Sequence, residues 1–314
     1  MIEAVRLPGT RESGCVNDNP VQAAGKAPSV TVQDAPGTSV KVVQLAYSSV
    51  GETFDGTRLS QPCPVTRKWA FGPGTGAGVR VCLIDSGVNP DAREVTGPVE
   101  ALAIVGERSE GEERYRIVPD SAGDLAGHGT QSATIIHALA PESELTSVRV
   151  LGSGLQGDSG TLVAGLRWAI DEGFDLVNLS LSTRRTERKE DLHDLADEAY
   201  HRGTTIVASA HNRQFRSYPW HFASVISVGS HGRADPEYLE ANPRPPVEFF
   251  AHGVEVTVRR PDGSHARVSG NSFATPHVTG LCARVLGAHP GLGAPQLKQV
   301  LTAVANNTLH PRLA

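Results

Sequence analysis

This 314-residue chain lacks what would direct it to a membrane or a nucleic acid. No apolar stretch is long enough to span a bilayer, and residues 1–11 lack the apolar run of a secretory signal. A cytoplasmic chain with no membrane partner is therefore expected. Basic charge is also short: 29 Lys and Arg face 34 Asp and Glu, the formal net charge is −5, and no basic stripe interleaved with aromatics occurs. Nothing here would neutralise a run of phosphates, which excludes nucleic acid as the main partner. The four cysteines, Cys15, Cys63, Cys82 and Cys282, lack metal-ligand spacing. Cys82 and Cys282 sit in apolar surroundings and read as buried free thiols. No internal repeat is visible, and nothing specifies an oligomeric state.

What is present is a 39% hydrophobic composition, enough to bury one large core or two small ones. Residues 1–37 are rich in Gly, Pro, Ser, Asn and Asp without a sustained period, as in a flexible leader. One strand is suggested at 39–47. Residues 62–78 are full of Pro and Gly, so the boundary falls near Arg67 and gives an irregular extension at 1–66 and a main domain at 67–314. The sequence leaves open whether the extension is a removable pro-segment.

Beyond that boundary, apolar runs at 79–84, 145–150, 176–181, 204–208 and 225–228 alternate with stretches of helical spacing at 160–172 and 187–202. Alternation of this kind predicts an α/β fold: a mostly parallel twisted sheet in three layers, with helices on both faces. Ligands of such sheets sit at the carboxyl ends of the strands.

Three short segments fall where such a fold exposes side chains. Asp85 ends the apolar run at 79–84, and a buried carboxylate there needs a partner; the plainer alternative is a strand-end Asp capping the turn before Gly87. His128 lies between two glycines, ahead of a helix at 131–139, and its imidazole can donate a ring N–H hydrogen bond to Asp85. Ser272 precedes a long apolar helix whose early Pro276 suits a helix start; it can cap that helix and equally act as a nucleophile beside unpaired N–H groups, the two roles being compatible. Asn212 follows the apolar run at 204–208 and could donate to an oxyanion, or simply sit in a turn.

With Asp85, His128 and Ser272 in that order and in these contexts, residues 68–301 resemble the subtilisin-like serine peptidases. The resemblance extends to Ser180, Leu181 and Ser182, in place of the family's substrate-pairing Ser-Leu-Gly strand, and to Tyr218-Pro219 beyond Asn212. It implies a catalytic Asp85, His128 and Ser272, an oxyanion donor in Asn212, and peptide-bond hydrolysis through an acyl-enzyme. By the same resemblance, Ser180, Leu181 and Ser182, with Ser209, Ala210 and His211, border the substrate. The partner implied is a peptide or protein, with restricted processing favoured over digestion. The same acyl-enzyme passed to an amine would make a ligase or cyclase, and a silent peptide-binding domain is the non-enzymatic alternative.

The chain also departs from the family pattern. Residues 137–143 run straight on to the next strand where relatives often carry a calcium-binding insertion, so no cofactor is expected. Phe273 replaces the usual Met after the nucleophile, which predicts tolerance of peroxide. Asn271 replaces a Thr, its amide being a candidate extra donor. Ser182 and His211 replace glycines and predict a specificity pocket with less room or with added polar groups. Arg184, Arg185, Arg188 and Lys189 form either a solvated cluster or a guide for acidic peptides.

Overall fold

A computed structural model describes residues 65–109, 112–213, 215–259 and 264–308. The leader, the strand suggested at 39–47, Cys15 and Cys63 lie outside them. In chain order the elements begin with α1 (Arg67–Phe71), β1 (Arg80–Asp85), β2 (Val99–Ser109), β3 (Glu112–Pro119), α2 (His128–Leu139) and β4 (Glu144–Arg149). They continue with α3 (Ser159–Asp171), β5 (Leu176–Leu179), α4 (Lys189–Arg202), β6 (Thr205–Ser209), β7 (Ile226–His231), β8 (Glu240–Ala241) and β9 (Phe249–His252). A hairpin of β10 (Val256–Arg259) and β11 (His265–Val268) precedes α5 (Asn271–Ala288) and α6 (Ala294–Val304).

The main sheet has the order β3-β2-β4-β1-β5-β6-β7-β9-β8. Every pairing from β2 through β9 is parallel, and the edge strands β3 and β8 are antiparallel. β1 has β4 on one side and β5 on the other, so the strand order reverses at β1. A crevice opens at such a reversal, outside the carboxyl ends of the strands. Asp85 is the last residue of β1.

Successive residues of a strand face opposite sides, and both faces of β1 are covered. Val81 and Leu83 join a core built with Ile136 of α2 and Val278 and Leu281 of α5. Cys82 and Ile84 join the core on the other face, with Leu166 of α3 and Leu195 of α4. Full burial of a side chain such as Leu83 contributes about 1.5–3 kcal/mol. The same alternation turns Asp85 toward α2 and α5. A third, small cluster seats Val256 and Val258 of the hairpin against Phe273. Cys82 and Cys282 are free and buried, and burial pushes the Cys282 thiol up to about 12.

Several local expectations change. β5 stops at Leu179, so residues 180–182 leave the sheet and pair with no strand among the described residues. A 3-10 turn, Thr186–Arg188, precedes α4 where one continuous helix was predicted. Neither the β2–β3 hairpin nor the short strands β8 to β11 had been read from sequence. Four residues link α2 to β4; their one carboxylate, Glu142, accepts a hydrogen bond from Thr75, and this link does not fit a calcium cage. No helix among the described residues is long and apolar enough to cross a membrane.

Candidate active site

Asp85 and His128 meet because α2 begins hard against the exit of β1. A Cβ built on Gly129 would lie 2.1 Å from the Gly87 carbonyl oxygen, so only glycine permits this approach. Gly127 enters the helix at φ 76°, a left-handed conformation that suits glycine. His128 Nδ1 then lies 2.8 and 3.0 Å from the two carboxylate oxygens of Asp85. Asp85 is fully buried and also accepts the Ser86 N–H at 2.7 Å and, at 3.4 Å, the Ser132 hydroxyl.

With Nδ1 donating to Asp85, Nε2 is the ring atom left for proton transfer. Burial pulls the His128 pKa down, but the Asp85 charge and hydrogen bond, aided by the Asp124 charge, outweigh it and hold the pKa above the ordinary histidine value.

Asp124 organises this corner. Its carboxylate accepts the N–H groups of Ala126, Gly127 and Thr130 at the open end of α2, together with the Ser86 hydroxyl at 2.7 Å. The Ser86 hydroxyl oxygen in turn accepts the Gly129 N–H at 3.1 Å. These bonds satisfy donors that a helix start leaves unpaired and fix the residue that carries the imidazole.

On the other side, Gly270 is the N-cap of α5, so Ser272 lies inside the first turn rather than capping it. A Cβ built on Gly270 would stand 3.3 Å from the Ser272 hydroxyl oxygen and 3.5 Å from the Asn212 amide nitrogen. Both groups therefore border one small space. Asn212 Oδ1 accepts the Asn271 N–H at 2.8 Å, which anchors the side chain and leaves its NH₂ as a donor. The ring of Phe273 packs on His128, with centroids 5.1 Å apart. No hydrogen bond joins His128 to the Ser272 hydroxyl among the described residues. Such bonds commonly tighten only when substrate is present.

The expectation of an extra donor in Asn271 is overturned. Its NH₂ is spent on the carbonyls of Ala210 and His211, at 3.1 and 3.3 Å, and its Oδ1 accepts from the Ser230 N–H and hydroxyl at 2.9 Å. Asn271 instead ties the start of α5 to the ends of β6 and β7.

The segment at 180–182 is anchored through its first residue. Asn178 Nδ2 donates to the Ser180 hydroxyl at 2.9 Å, while Asn178 Oδ1 accepts the Thr279 hydroxyl of α5 at 2.8 Å. Leu181 is half-buried against the α3–α4 core. Ser182 and Ser217 share a hydrogen bond of 2.9 Å, and Trp220 donates to Ser217 at 2.7 Å. Ser209 and Ala210 are buried, and His211 is half-buried, its ring edge on Phe215. Among the described residues no group of three or more His, Cys, Asp or Glu is placed to hold a metal ion.

Comparison with known proteins gives the family. The pattern of the Subtilase family matches residues 76–313. The chain belongs to the subtilase family. It is 30% identical over 247 residues to Subtilisin DY of Bacillus licheniformis, covering 74% of this chain and 85% of that protein. It is 29% identical over 283 residues to the Minor extracellular protease Epr of Bacillus subtilis, covering 86% of this chain but only 41% of Epr. A solved structure titled as a cold adapted subtilisin-like serine proteinase superimposes with a TM-score of 0.57 at 24% identity, over 73% of this chain and 83% of that one. At that identity the superposition speaks for the fold.

Sequence reasoning missed several working parts of this subtilase. Asp124 carried no signal beyond a carboxylate a few residues ahead of a predicted helix start, a position where capping is common. Ser86 and Ser132 touch the acid through contacts that no spacing announces. Asn178 and Thr279 meet across 101 positions of sequence.

Proposed function

We propose that this subtilase is a serine endopeptidase that hydrolyses a restricted peptide or precursor substrate through Asp85, His128, Ser272 and Asn212. One observation carries the reading: a buried carboxylate holds an imidazole by Nδ1, that imidazole packs on Phe273 in the first turn of the helix that also carries Ser272, and the anchored Asn212 amide borders the same space as the Ser272 hydroxyl.

The Ser272 hydroxyl attacks the scissile carbonyl carbon while His128 Nε2 takes its proton. Asp85 holds the Nδ1 proton and stabilises the imidazolium. Negative charge moves to the carbonyl oxygen, where the Asn212 NH₂ and the Ser272 N–H, in the first turn of α5, can donate to it. Collapse expels the amine, which leaves with the proton from His128, and an acyl-enzyme remains. Water gives a proton to His128 and attacks the ester, and Ser272 is regenerated. The unpaired backbone at 180–182 suits an extended peptide added as a strand.

A peptide library incubated with wild type and Ser272→Ala in ¹⁸O-water tests this. Cleaved products carrying ¹⁸O at the new carboxyl, from wild type alone, are expected. Joined peptides lacking ¹⁸O would favour the ligase alternative, and products from both proteins would refute the role of Ser272.

A further inference from the structure

A cleft of about 450 Å³ opens beside Asn212 and Asn271, and neither Ser180, Leu181 nor Ser182 lines it. Its floor is apolar, with Trp220, Val247 and Phe250. Its charged lining is of one sign: Arg213 and Arg216 contribute, and no carboxylate does.

Several arginines elsewhere in the domain pair with carboxylates. Arg188 pairs with Asp191 and Glu113, Arg149 with Asp120, and Arg284 with Glu237. Arg213 and Arg216 make no ion pair among the described residues. Arg184 lies over the ring of Phe215, another residue of the cleft wall, and adds charge at the rim. His221 Nδ1 is buried without a hydrogen-bond partner, and burial with the nearby charges of Arg216 and Lys189 holds its pKa down.

An apolar floor under an uncompensated cationic rim fits a carboxylate carried on a short aliphatic stem. Resting on the peptidase reading above, we propose that this cleft takes a carboxylate of the peptide substrate close to the scissile bond. Asn212 links the two regions, since it lines the cleft and borders the space beside Ser272.

The test uses the full chain carrying Ser272→Ala, so that binding is read without turnover. Octapeptides with Glu or Gln at each position in turn, and with a free or amidated C-terminus, are ranked by affinity. At least about a fivefold preference for one carboxylate is expected, the scale of a partly exposed guanidinium–carboxylate pair with good geometry. The preference should shrink in added salt, disappear with Arg213→Gln and Arg216→Gln combined, and survive with both as Lys. Preference for Glu identifies a side chain, and preference for the free terminus identifies a chain end. Equal affinity for charged and neutral peptides, or a preference that persists after both arginines are removed, overturns the proposal. If wild type cleaves nothing while the arginine-dependent preference remains, the peptidase reading fails and the cleft assignment stands.

Discussion

Asp85→Asn removes one charge and keeps the side-chain shape. In wild type, His128 Nδ1 stands 2.8 Å from a fully buried carboxylate. At an effective dielectric of about 20, unit charges at that distance attract by about 6 kcal/mol once the imidazolium forms. Desolvation of the pair takes part of this back, and loss of one partner from a buried pair typically costs about 3–5 kcal/mol. At about 1.4 kcal/mol per decade, kcat/KM should fall by roughly two to four orders of magnitude. A peptide hydrolysis assay, with circular dichroism to check folding, measures it.

The pH profile adds an independent readout. Only neutral His128 can take the serine proton, so the acid limb of kcat/KM in wild type should lie above the ordinary histidine value of about 6.5, in line with the raised pKa. Asp85→Asn should move that limb down. Stability is linked in the same way: a raised His128 pKa stabilises the fold fully below about pH 6.5 and ceases to do so as pH climbs through the folded value. The variant should lose that dependence. A folded Asp85→Asn protein with less than a tenfold loss and an unmoved acid limb would refute the reasoning.

Asn212→Ala should lower kcat by about 10²–10³ with little change in KM, because it removes a donor used when the oxyanion forms; a change in KM alone would argue against that role. Gly129→Ala forces a Cβ to 2.1 Å from the Gly87 carbonyl oxygen, and the resulting strain of about 1–3 kcal/mol should lower Tm by several degrees and reduce activity together. Unchanged Tm would show that the β1 exit yields easily. Peroxide should leave wild-type activity largely intact, whereas Phe273→Met should make it peroxide-sensitive, since a thioether would then lie against His128. A chelator such as EDTA should change neither Tm nor activity.

The parts of the fold legible in sequence were those whose burial is two-sided. β1, β5 and β6 are largely apolar runs because helices cover both their faces, and that, with their alternation with helical stretches, made them legible. The β2–β3 hairpin was not legible because its outer part is dressed in charge, with Glu107 and Arg116 paired across it. β9, β10 and β11 have four residues each, too few for alternation to stand out.

The site shows the same division. Asp85, His128 and Ser272 were visible because each ends a strand-like run or opens a helix. Asn271 was visible as a departure, but the direction of its amide depends on β6 and β7, which only the folded chain brings to it. Asp124 acts through three backbone N–H groups, and backbone partners leave no mark on residue type.

The relay proposed to run from Asp85 through His128 to Ser272 is tested most directly by fluorophosphonate labelling followed by peptide mass mapping. A single adduct on Ser272 is predicted for wild type, with none on His128→Ala or Ser272→Ala proteins that remain folded. An adduct on another residue, or full labelling of Ser272 without His128, would contradict the account.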